Sequence, residues 1–205
     1  MLRELGFSEN TYSEIILVVT RDGEVNAAPI GVKLINDNIM AIIFKDSVTY
    51  LGLMGCGECT INVTSDARVF YKFVMNERIG ADELLSSDII HVPALKIADA
   101  VVEAKVADVI DKGDRAIFYF VPVNFKILRS MPRTFNRAHP AIIEALVHYT
   151  RIKPYLTMGL SSEIDKLLER IKMCVDTVRH STRDTELLNI ANDILLKAVK
   201  DAKRQ

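Results

Sequence analysis

The sequence lacks an excess of charge of either sign, and it lacks long apolar runs. Its 26 basic and 27 acidic residues give a formal net charge of -1, so no nucleic acid or anionic membrane is expected as a partner. No apolar run approaches the roughly 20 residues that span a bilayer, and residues 1–6 lack the apolar segment of a signal peptide. The chain is therefore expected to be soluble and cytoplasmic.

Metal-ligand and redox patterns are also scarce. The three cysteines are Cys56, Cys59 and Cys174, and the first two have the spacing of a zinc or redox motif. A second pair of zinc ligands is absent, and Cys59 leads into a strand-like segment, whereas a thioredoxin-like motif opens a helix. We therefore expect small buried thiols. The four histidines show no ligand spacing, so the sequence predicts no metal site.

The usual signatures of hydrolases and nucleotide-binding enzymes are missing as well. The sequence has no Ser–His–Asp arrangement, no pair of catalytic carboxylates and no phosphate-binding P-loop. An enzyme with this sequence would need a cofactor for hydride or electron chemistry, while the protein contributes orientation and electrostatics. No residue is identified as a general acid or base.

The most informative feature that is present is a hairpin with an unusual second strand. An apolar run at 15–19 leads into a turn at Asp22 and Gly23, which is a strong hairpin signal. The return strand carries small residues, an imino acid and a glycine, namely Asn26, Ala27, Ala28, Pro29, Ile30, Gly31 and Val32. Such a strand loses packing and a ladder donor, which is typical where a flat ligand or another backbone lies against it. An edge strand beside a bulge is an equally good interpretation.

Residues 13–127 have patterns that are mainly typical of strands. The strand that contains Asn26 continues to residue 35, and the other predicted elements are a strand at 39–44, a helix at 49–54, a strand at 60–64, a helix at 66–77 and strands at 101–110 and 115–128. Glu103 and Lys105 alternate with apolar residues, which predicts one solvated face. Residues 80–97 are expected to be mostly loop. Six or more strands with short connections predict a closed or nearly closed barrel.

After the strands, the pattern changes to helices. Apolar residues spaced three and four apart predict three helices, which begin near Pro140, after Ser161 and Ser162, and after Ser181 and Thr182. The fold class is therefore mainly β with a helical C-terminal region, with a barrel domain at 1–130 and a helical region at 131–205. The helices are expected to pack together or against the barrel, and a partner-binding helical module is the alternative.

Four blocks of this sequence resemble the FMN-binding split barrel, the superfamily of flavin reductases and pyridoxamine-phosphate oxidase-like proteins. The blocks are residues 26–32, 44–49, 60–64 and 133–138. The chain is especially similar to an archaeal branch that is described only as a protein of unknown function, and the resemblance covers most of the chain, including the helical tail. It implies a split β-barrel with an α-helical bundle, FMN as the cofactor, and a homodimer with the flavin near the interface.

Binding of FMN requires a site for a phosphate, and residues 44–49 offer suitable groups between a strand and a short helix. Lys45 supplies a positive charge, and Ser47 and Thr49 supply hydroxyl groups beside the N–H groups of a helix start. Phe44 precedes them, and Asp46 would have to point away. A plain helix cap with an exposed lysine is the alternative interpretation.

The flavin ring is expected to lie against the small-residue strand, where backbone N–H groups and the amide of Asn26 can bind its polar edge. Asn62 is a second candidate, with a satisfied buried amide as an equally good interpretation. Arg133 and Asn136 are expected in a loop that could approach a phosphate, a substrate or the neighbouring subunit's site, or that could be anchored by carboxylates. The predicted cofactor-binding residues are Asn26, Ala27, Ala28, Pro29, Ile30, Gly31, Val32, Phe44, Lys45, Ser47, Thr49, Asn62, Arg133 and Asn136.

The resemblance implies an FMN-dependent oxidoreductase that passes reducing equivalents from a nicotinamide or deazaflavin donor to an acceptor that the sequence does not name. A non-catalytic FMN-binding or carrier protein, whose C-terminal helices dock a partner, is the alternative. A relative of the pyridoxal-phosphate-handling oxidases is a weaker third interpretation, because a second cluster of basic residues for the substrate phosphate is not evident.

Overall fold

The computed structural model describes residues 1–7, 9, 12–129, 137–182 and 184–203. These residues form two compact units. The first unit contains Met1–Thr64 and the strands that follow Glu77, and the second contains Ser65–Asn76 and the C-terminal helices. The helix predicted at 66–77 therefore groups with the C-terminal helices. A domain boundary at residue 130 falls outside the described ranges and stays a prediction.

The first unit is built on a closed antiparallel barrel with the strand order β1-β2-β3-β8-β7-β4. Its strands are β1 (Ser13–Arg21), β2 (Glu24–Ile35), β3 (Asn38–Phe44), β4 (Glu58–Val63), β7 (Ala100–Asp111) and β8 (Arg115–Ile127). Two short strands, β5 (Leu84–Leu85) and β6 (Ala94–Leu95), pair separately, and a single 3-10 turn covers Ala81–Glu83. The predicted fold class, mainly β with a helical C-terminal region, is confirmed.

The β1–β2 hairpin follows directly from the sequence. Asp22 and Gly23 both have positive φ angles, of 52° and 82°, as a tight two-residue hairpin turn requires. Inside the barrel, alternate residues of β1 meet aromatic residues of β8 in one apolar cluster. The outer face of β1 is also buried, because Ile16 and Val18 have no exposed surface. This explains why β1 is apolar along five consecutive positions.

A short helix, α1 (Val48–Cys56), packs against β1 in the same unit. Gly52 sets its distance from the strand, because a Cβ atom at this position would come within 2.7 Å of Val19 Cγ2 and 3.3 Å of the Thr20 carbonyl oxygen. The helix predicted at 49–54 is confirmed. Its packing on β1 holds its N-terminus close to the barrel. Gly57, with a φ of 67°, terminates it.

The second unit contains five helices among its described residues: α2 (Ala67–Val74), α3 (Ala138–Thr150), α4 (Ile152–Thr157), α5 (Ser161–Ser181) and α6 (Thr185–Ala202). The three long predicted helices are confirmed. The cap of α6 is Asp184, whose carboxylate accepts the N–H groups of Glu186 and Leu187, and Ser181 ends the preceding helix instead. The sequence did not predict α4, in which Pro154 occupies the first turn, where its missing N–H costs no helical hydrogen bond.

Candidate functional site

The second strand of the barrel has one edge without a strand partner over much of its length. Residues 24–32 of β2 pair with β1, but β3 pairs with β2 only from Val32 to Ile35. Among the described residues, positions 24–31 therefore have a strand on one side alone. We call residues 24–31 the open β2 edge. Its residues from Val25 to Gly31 are all partly exposed.

The two turns that flank β2 show which backbone groups face this opening. Each turn has two residues, so Glu24 bonds to β1 and Ile35 bonds to β3. Alternation along the strand then directs the N–H and C=O groups of Val25, Ala27 and Gly31 away from β1. The backbone of Pro29 also faces away from β1, so its missing N–H removes no bond to that strand. This explains why a proline is tolerated here.

The side chains of β2 alternate between the two faces of the barrel. Asn26, Ala28 and Ile30 lie opposite core residues of β1, whereas Ala27, Pro29 and Gly31 face outward. A Cβ atom at Gly31 would lie 3.5 Å from a Glu14 carboxylate oxygen and 3.6 Å from the Tyr12 ring, which are ordinary contacts. The described residues would therefore accept a small side chain at position 31, which would make ordinary contacts with Tyr12 and Glu14.

The N-terminus of α1 adjoins the open β2 edge. The Asn26 side-chain amide donates to Thr49 Oγ1 at 3.4 Å, and Thr49 is buried. Ser47 caps the helix, since its Oγ accepts the Tyr50 N–H at 3.1 Å and donates to the Phe44 carbonyl at 2.6 Å. The first turn contains no acidic residue. Its leading N–H groups have no carbonyl partner within the helix, so this end favours an anion.

Lys45 is held beside this helix start by the turn between β7 and β8. Its Nζ lies 2.5 Å from Asp111 Oδ2, and its backbone N–H donates to the Asp114 carbonyl at 3.0 Å. The hydrogen bond to Asp111 raises the pKa of Lys45 above its usual value, and the same contact lowers the pKa of Asp111. Both groups are therefore charged at neutral pH, and Lys45 is not a freely solvated lysine.

Asn62 has a different environment, which favours the structural interpretation. It has no exposed surface. Its Oδ1 accepts the Leu95 N–H at 2.8 Å, and its Nδ2 donates to the carbonyls of Ile16 and Thr60 and to Thr60 Oγ1. The amide thus ties β1, β4 and β6 together, and its polar atoms are already bound to protein. The Asn62 amide therefore has a structural role, and a part in cofactor binding stays a prediction.

The structure corrects two other expectations for the barrel unit. Glu103 was expected on a solvated face, but it is 1% exposed, because its carboxylate accepts the N–H groups of Asp88, Ile89 and Ile90. Cys59 is buried as expected, and burial strongly raises the pKa of its thiol. Cys56 is exposed, so the expectation of a buried thiol is wrong there.

Several predicted site residues come together, and two lie outside the described residues. Asn26 and Thr49 are linked, Phe44, Lys45 and Ser47 lie in the same turn, and residues 27–32 continue along β2. Arg133 and Asn136 fall in the range 130–136, which the structure does not describe. Sequence reasoning missed Asp111, whose only signal was its place at a predicted hairpin turn.

Two absences hold for the described residues. No three side chains of histidine, cysteine, aspartate or glutamate come together there in a way that would hold a metal ion. No described helix combines the length and the apolar character that are needed to cross a membrane.

The closed antiparallel barrel, with one open strand edge beside a helix N-terminus, defines a split-barrel protein. Family models agree along most of the chain. Residues 13–129 match the N-terminal domain of the protein of unknown function DUF447, and residues 136–197 match the C-terminal model of the same name. The chain therefore belongs to the DUF447 family.

Individual proteins are also similar to the chain. The uncharacterized protein MJ1453 of Methanocaldococcus jannaschii is 28% identical over 148 residues, which cover 68% of this chain and 74% of that protein. The crystal structure of the FMN-bound protein MM1853 from Methanosarcina mazei has a TM-score of 0.78 and 23% identity, and the match covers 98% of this chain and 100% of that one. Flavoredoxin from Methanosarcina acetivorans has a TM-score of 0.50 and 14% identity, covering 57% and 68%. These structures share the fold.

Proposed function

We propose that this chain is a flavoprotein that binds FMN along the open β2 edge, with the phosphate at the start of α1. The observation that carries the proposal is the loss of β3 as a partner over residues 24–31, next to the capped N-terminus of α1. An unpaired backbone edge and an anion-favouring helix start are the two surfaces that a flavin ring and a phosphate require. The FMN-bound state of MM1853, a structure that aligns with nearly the whole chain, supports this reading.

The phosphate end of the site uses charge and hydroxyl groups. Lys45 contributes a positive charge, and Ser47 and Thr49 contribute hydroxyl groups next to the first N–H groups of α1. Phe44 is 52% exposed, and the guanidinium of Arg115 lies 4.9 Å from the centre of its ring. The exposed ring and its stacked cation form an apolar and basic border beside Lys45.

The ring end of the site uses backbone groups. The N–H groups of Ala27 and Gly31 and the carbonyl of Pro29 face the opening, so they can bind the polar rim of a flavin. Asn26 adds an amide that its bond to Thr49 orients. Small side chains at positions 27 and 31, on the outer face of the strand, allow a planar ring to approach closely. The side chains of Ile30 and Val32 face the barrel interior and pack against its apolar core.

The activity that we propose is transfer of reducing equivalents from a nicotinamide or deazaflavin donor to an acceptor. FMN, when bound, supplies the hydride and electron chemistry. The groups proposed to contact the flavin at the open β2 edge are backbone amides and the neutral side-chain amide of Asn26, which bind and orient it. Their contribution is therefore binding and positioning, with no proton transfer assigned to a side chain.

We further propose a homodimer that forms through the outer face of β3, β8 and β7. Ile42 and Ile110 are each the direct neighbour of Ile117 across the sheet, and Phe44 and Val121 are also exposed on this unit. Exposed apolar side chains that gather on one face of a sheet are typical of a protein interface. Phe44 belongs both to this face and to the segment at 44–49, so such a dimer would place the flavin near its interface.

Sedimentation velocity at micromolar concentration tests the homodimer. We expect a dimer for the wild-type chain with FMN present and a monomer for Ile42→Lys, because a buried unpaired lysine would oppose association. A Met158→Lys variant is the control, since Met158 is exposed in the helical unit. A wild-type monomer that retains FMN would contradict the proposed dimer.

A non-catalytic FMN carrier is the second candidate function. It is favoured by large apolar side chains that are exposed on the long helices, since Met173 is 71% exposed and Leu196 is 70% exposed. Exposed apolar groups of this size fit the docking of a partner protein. Under this reading the helices recognise a partner and the barrel unit holds the flavin.

One experiment separates the two candidates. The chain is loaded with FMN, desalted and mixed anaerobically with each donor while the flavin absorbance is followed. Rapid bleaching by one donor supports the oxidoreductase. Bleaching by dithionite alone supports the carrier. A folded sample that retains no flavin after addition of FMN would contradict both.

A further inference from the structure

We infer that Asp111 limits how strongly the protein prefers FMN over riboflavin, because it competes with the FMN phosphate for Lys45. This inference rests on the proposed function. It assigns a role to Asp111, the last residue of β7, which the sequence marked only by its position beside a predicted turn. Asp111 is a positioning residue in this account, since it acts through Lys45 and not on the flavin directly.

The geometry shows that Lys45 already has an anionic partner. Its Nζ lies 2.5 Å from Asp111 Oδ2. The other carboxylate oxygen of Asp111 accepts the Gly113 N–H at 2.8 Å, which fixes the carboxylate within the turn. The Lys45 N–H also donates to the Asp114 carbonyl. The turn therefore holds both the backbone and the side chain of Lys45.

The exposure of the two partners makes an exchange feasible. The Asp111 side chain is 72% exposed and the Lys45 side chain is 30% exposed, so water can solvate the carboxylate once it is released. A phosphate monoester carries more charge than a carboxylate and has three acceptor oxygens, so it forms the stronger contact with an ammonium group. Each binding event must nevertheless break or share the existing ion pair, and this lowers the affinity for FMN.

The same turn offers a matched control. Asp114 is also acidic and also lies near Lys45, but its carboxylate pairs with Arg115, at 2.9 Å and 3.1 Å. Asp114→Asn and Asp111→Asn remove the same charge from the same turn. Only Asp111→Asn frees the ammonium group of Lys45. A general change in surface potential would alter FMN affinity in both variants. Competition for Lys45 would alter it mainly in Asp111→Asn.

The test measures dissociation constants for FMN and for riboflavin by flavin fluorescence in the full chain. The variants are Asp111→Asn, Asp114→Asn, Lys45→Ala and the double variant Lys45→Ala/Asp111→Asn. We expect Asp111→Asn to raise the preference for FMN roughly threefold, the scale of an exposed ion pair, with little change in riboflavin affinity. Asp114→Asn is expected to have a smaller effect, and Asp111→Asn is expected to have none once Lys45 is absent.

The outcomes separate this inference from the proposed function. A wild-type chain that binds neither flavin refutes the proposed function and, with it, the role of Asp111. A wild-type chain that binds FMN, in which Asp111→Asn leaves the preference unchanged or lowers it, refutes the inference alone. Equal effects of the two aspartate variants, or an effect that persists in the double variant, also overturn it. A purely structural role of Asp111 would change both flavin affinities together.

Discussion

Asn26 and Asn62 lie on the two strands that flank β1, yet their surroundings differ. The Asn62 amide is fully buried and its two polar atoms bond to Leu95, Ile16 and Thr60. Asn26 is partly exposed, and its side-chain amide donates to Thr49 Oγ1 at 3.4 Å. One flank of β1 is sealed by the segment around β6, and the other continues into the open β2 edge. The same residue type thus stabilises the fold on one side of β1 and lies at the proposed ligand site on the other.

The largest effect is expected from substitution of the sealed amide. Asn62→Leu would leave the Leu95 N–H and the Ile16 carbonyl without their side-chain partner, which costs about 2–4 kcal/mol of unfolding free energy for buried groups. Urea denaturation measures the change. Asn26→Leu is the matched substitution and is expected to change stability by less than about 1 kcal/mol. Equal losses in the two variants would contradict the contrast between the two flanks.

The buried carboxylate of Glu103 extends the contrast between closed and open parts of the barrel. It binds the segment at 88–90 to the outer face of β7. Glu103→Gln keeps the shape but faces N–H groups with an amide that donates, and about 2 kcal/mol of stability should be lost. Glu14→Gln, at an exposed position near the start of β1, serves as the control and is expected to lose less stability. A loss for Glu14→Gln as large as that for Glu103→Gln would contradict this assignment.

Glu103 also predicts a pH dependence. Burial alone raises the pKa of Glu103, but N–H donors from residues 88–90 and the Asn124 amide outweigh burial, and the net pKa is lowered. A carboxylate whose pKa is lower in the folded state stabilises the protein above its unfolded pKa of about 4.3. We expect that contribution to disappear as the pH falls below this value, and Glu103→Gln to flatten the decline. An unchanged acid limb in the variant would refute the role of Glu103.

On the open side, the expected effects are on binding. Lys45→Ala should weaken FMN about tenfold, because a charge-assisted phosphate contact is lost, and should leave riboflavin affinity nearly unchanged. Asn26→Leu should weaken both flavins, because Asn26 is assigned to the ring end. Titration with the two flavins separates the cases. Equal losses of FMN and riboflavin affinity in Lys45→Ala would contradict the assignment of the phosphate end.

The smallest effect is expected in the helical unit, at His148. Burial lowers its pKa, Glu144 opposes this shift, and Arg170 and Arg151 add to it. A histidine whose folded pKa lies below its unfolded value of about 6.5 makes the folded state lose stability as the pH falls from neutral. His148→Gln should therefore give a shallower decline in unfolding free energy between pH 7 and pH 5. A steeper decline in the variant would contradict this assignment.

Local patterns in the sequence predicted what depends on local chemistry. The β1–β2 hairpin followed from Asp22 and Gly23, and the three long helices followed from their apolar spacing. The short helix α4 was missed because its six residues are too few to show a helical apolar period. The cap of α6 was predicted two to three residues too early, because Ser181 and Thr182 are as good cap residues as Asp184.

Long-range pairing explains what the sequence did not predict. Lys45 and Asp111 are 66 residues apart, and only the register of β3, β8 and β7 brings them together. Glu103 is buried because residues 88–90 cross its face, and that segment has no periodicity from which its path can be deduced. For Asn62, the sequence left two interpretations open, and the choice between them depended on the position of β6.

The central claim is that FMN lies along the open β2 edge. Amide resonances of the full chain, recorded by ¹H–¹⁵N correlation spectroscopy during titration with FMN, test it most directly. The account predicts the largest shifts at Ala27 and Gly31, whose N–H groups face the opening, and at Val48 and Thr49 in α1. It predicts smaller shifts at Ala28 and Ile30, whose N–H groups bond to β1. Saturable shifts that leave Ala27, Gly31, Val48 and Thr49 unchanged would contradict it.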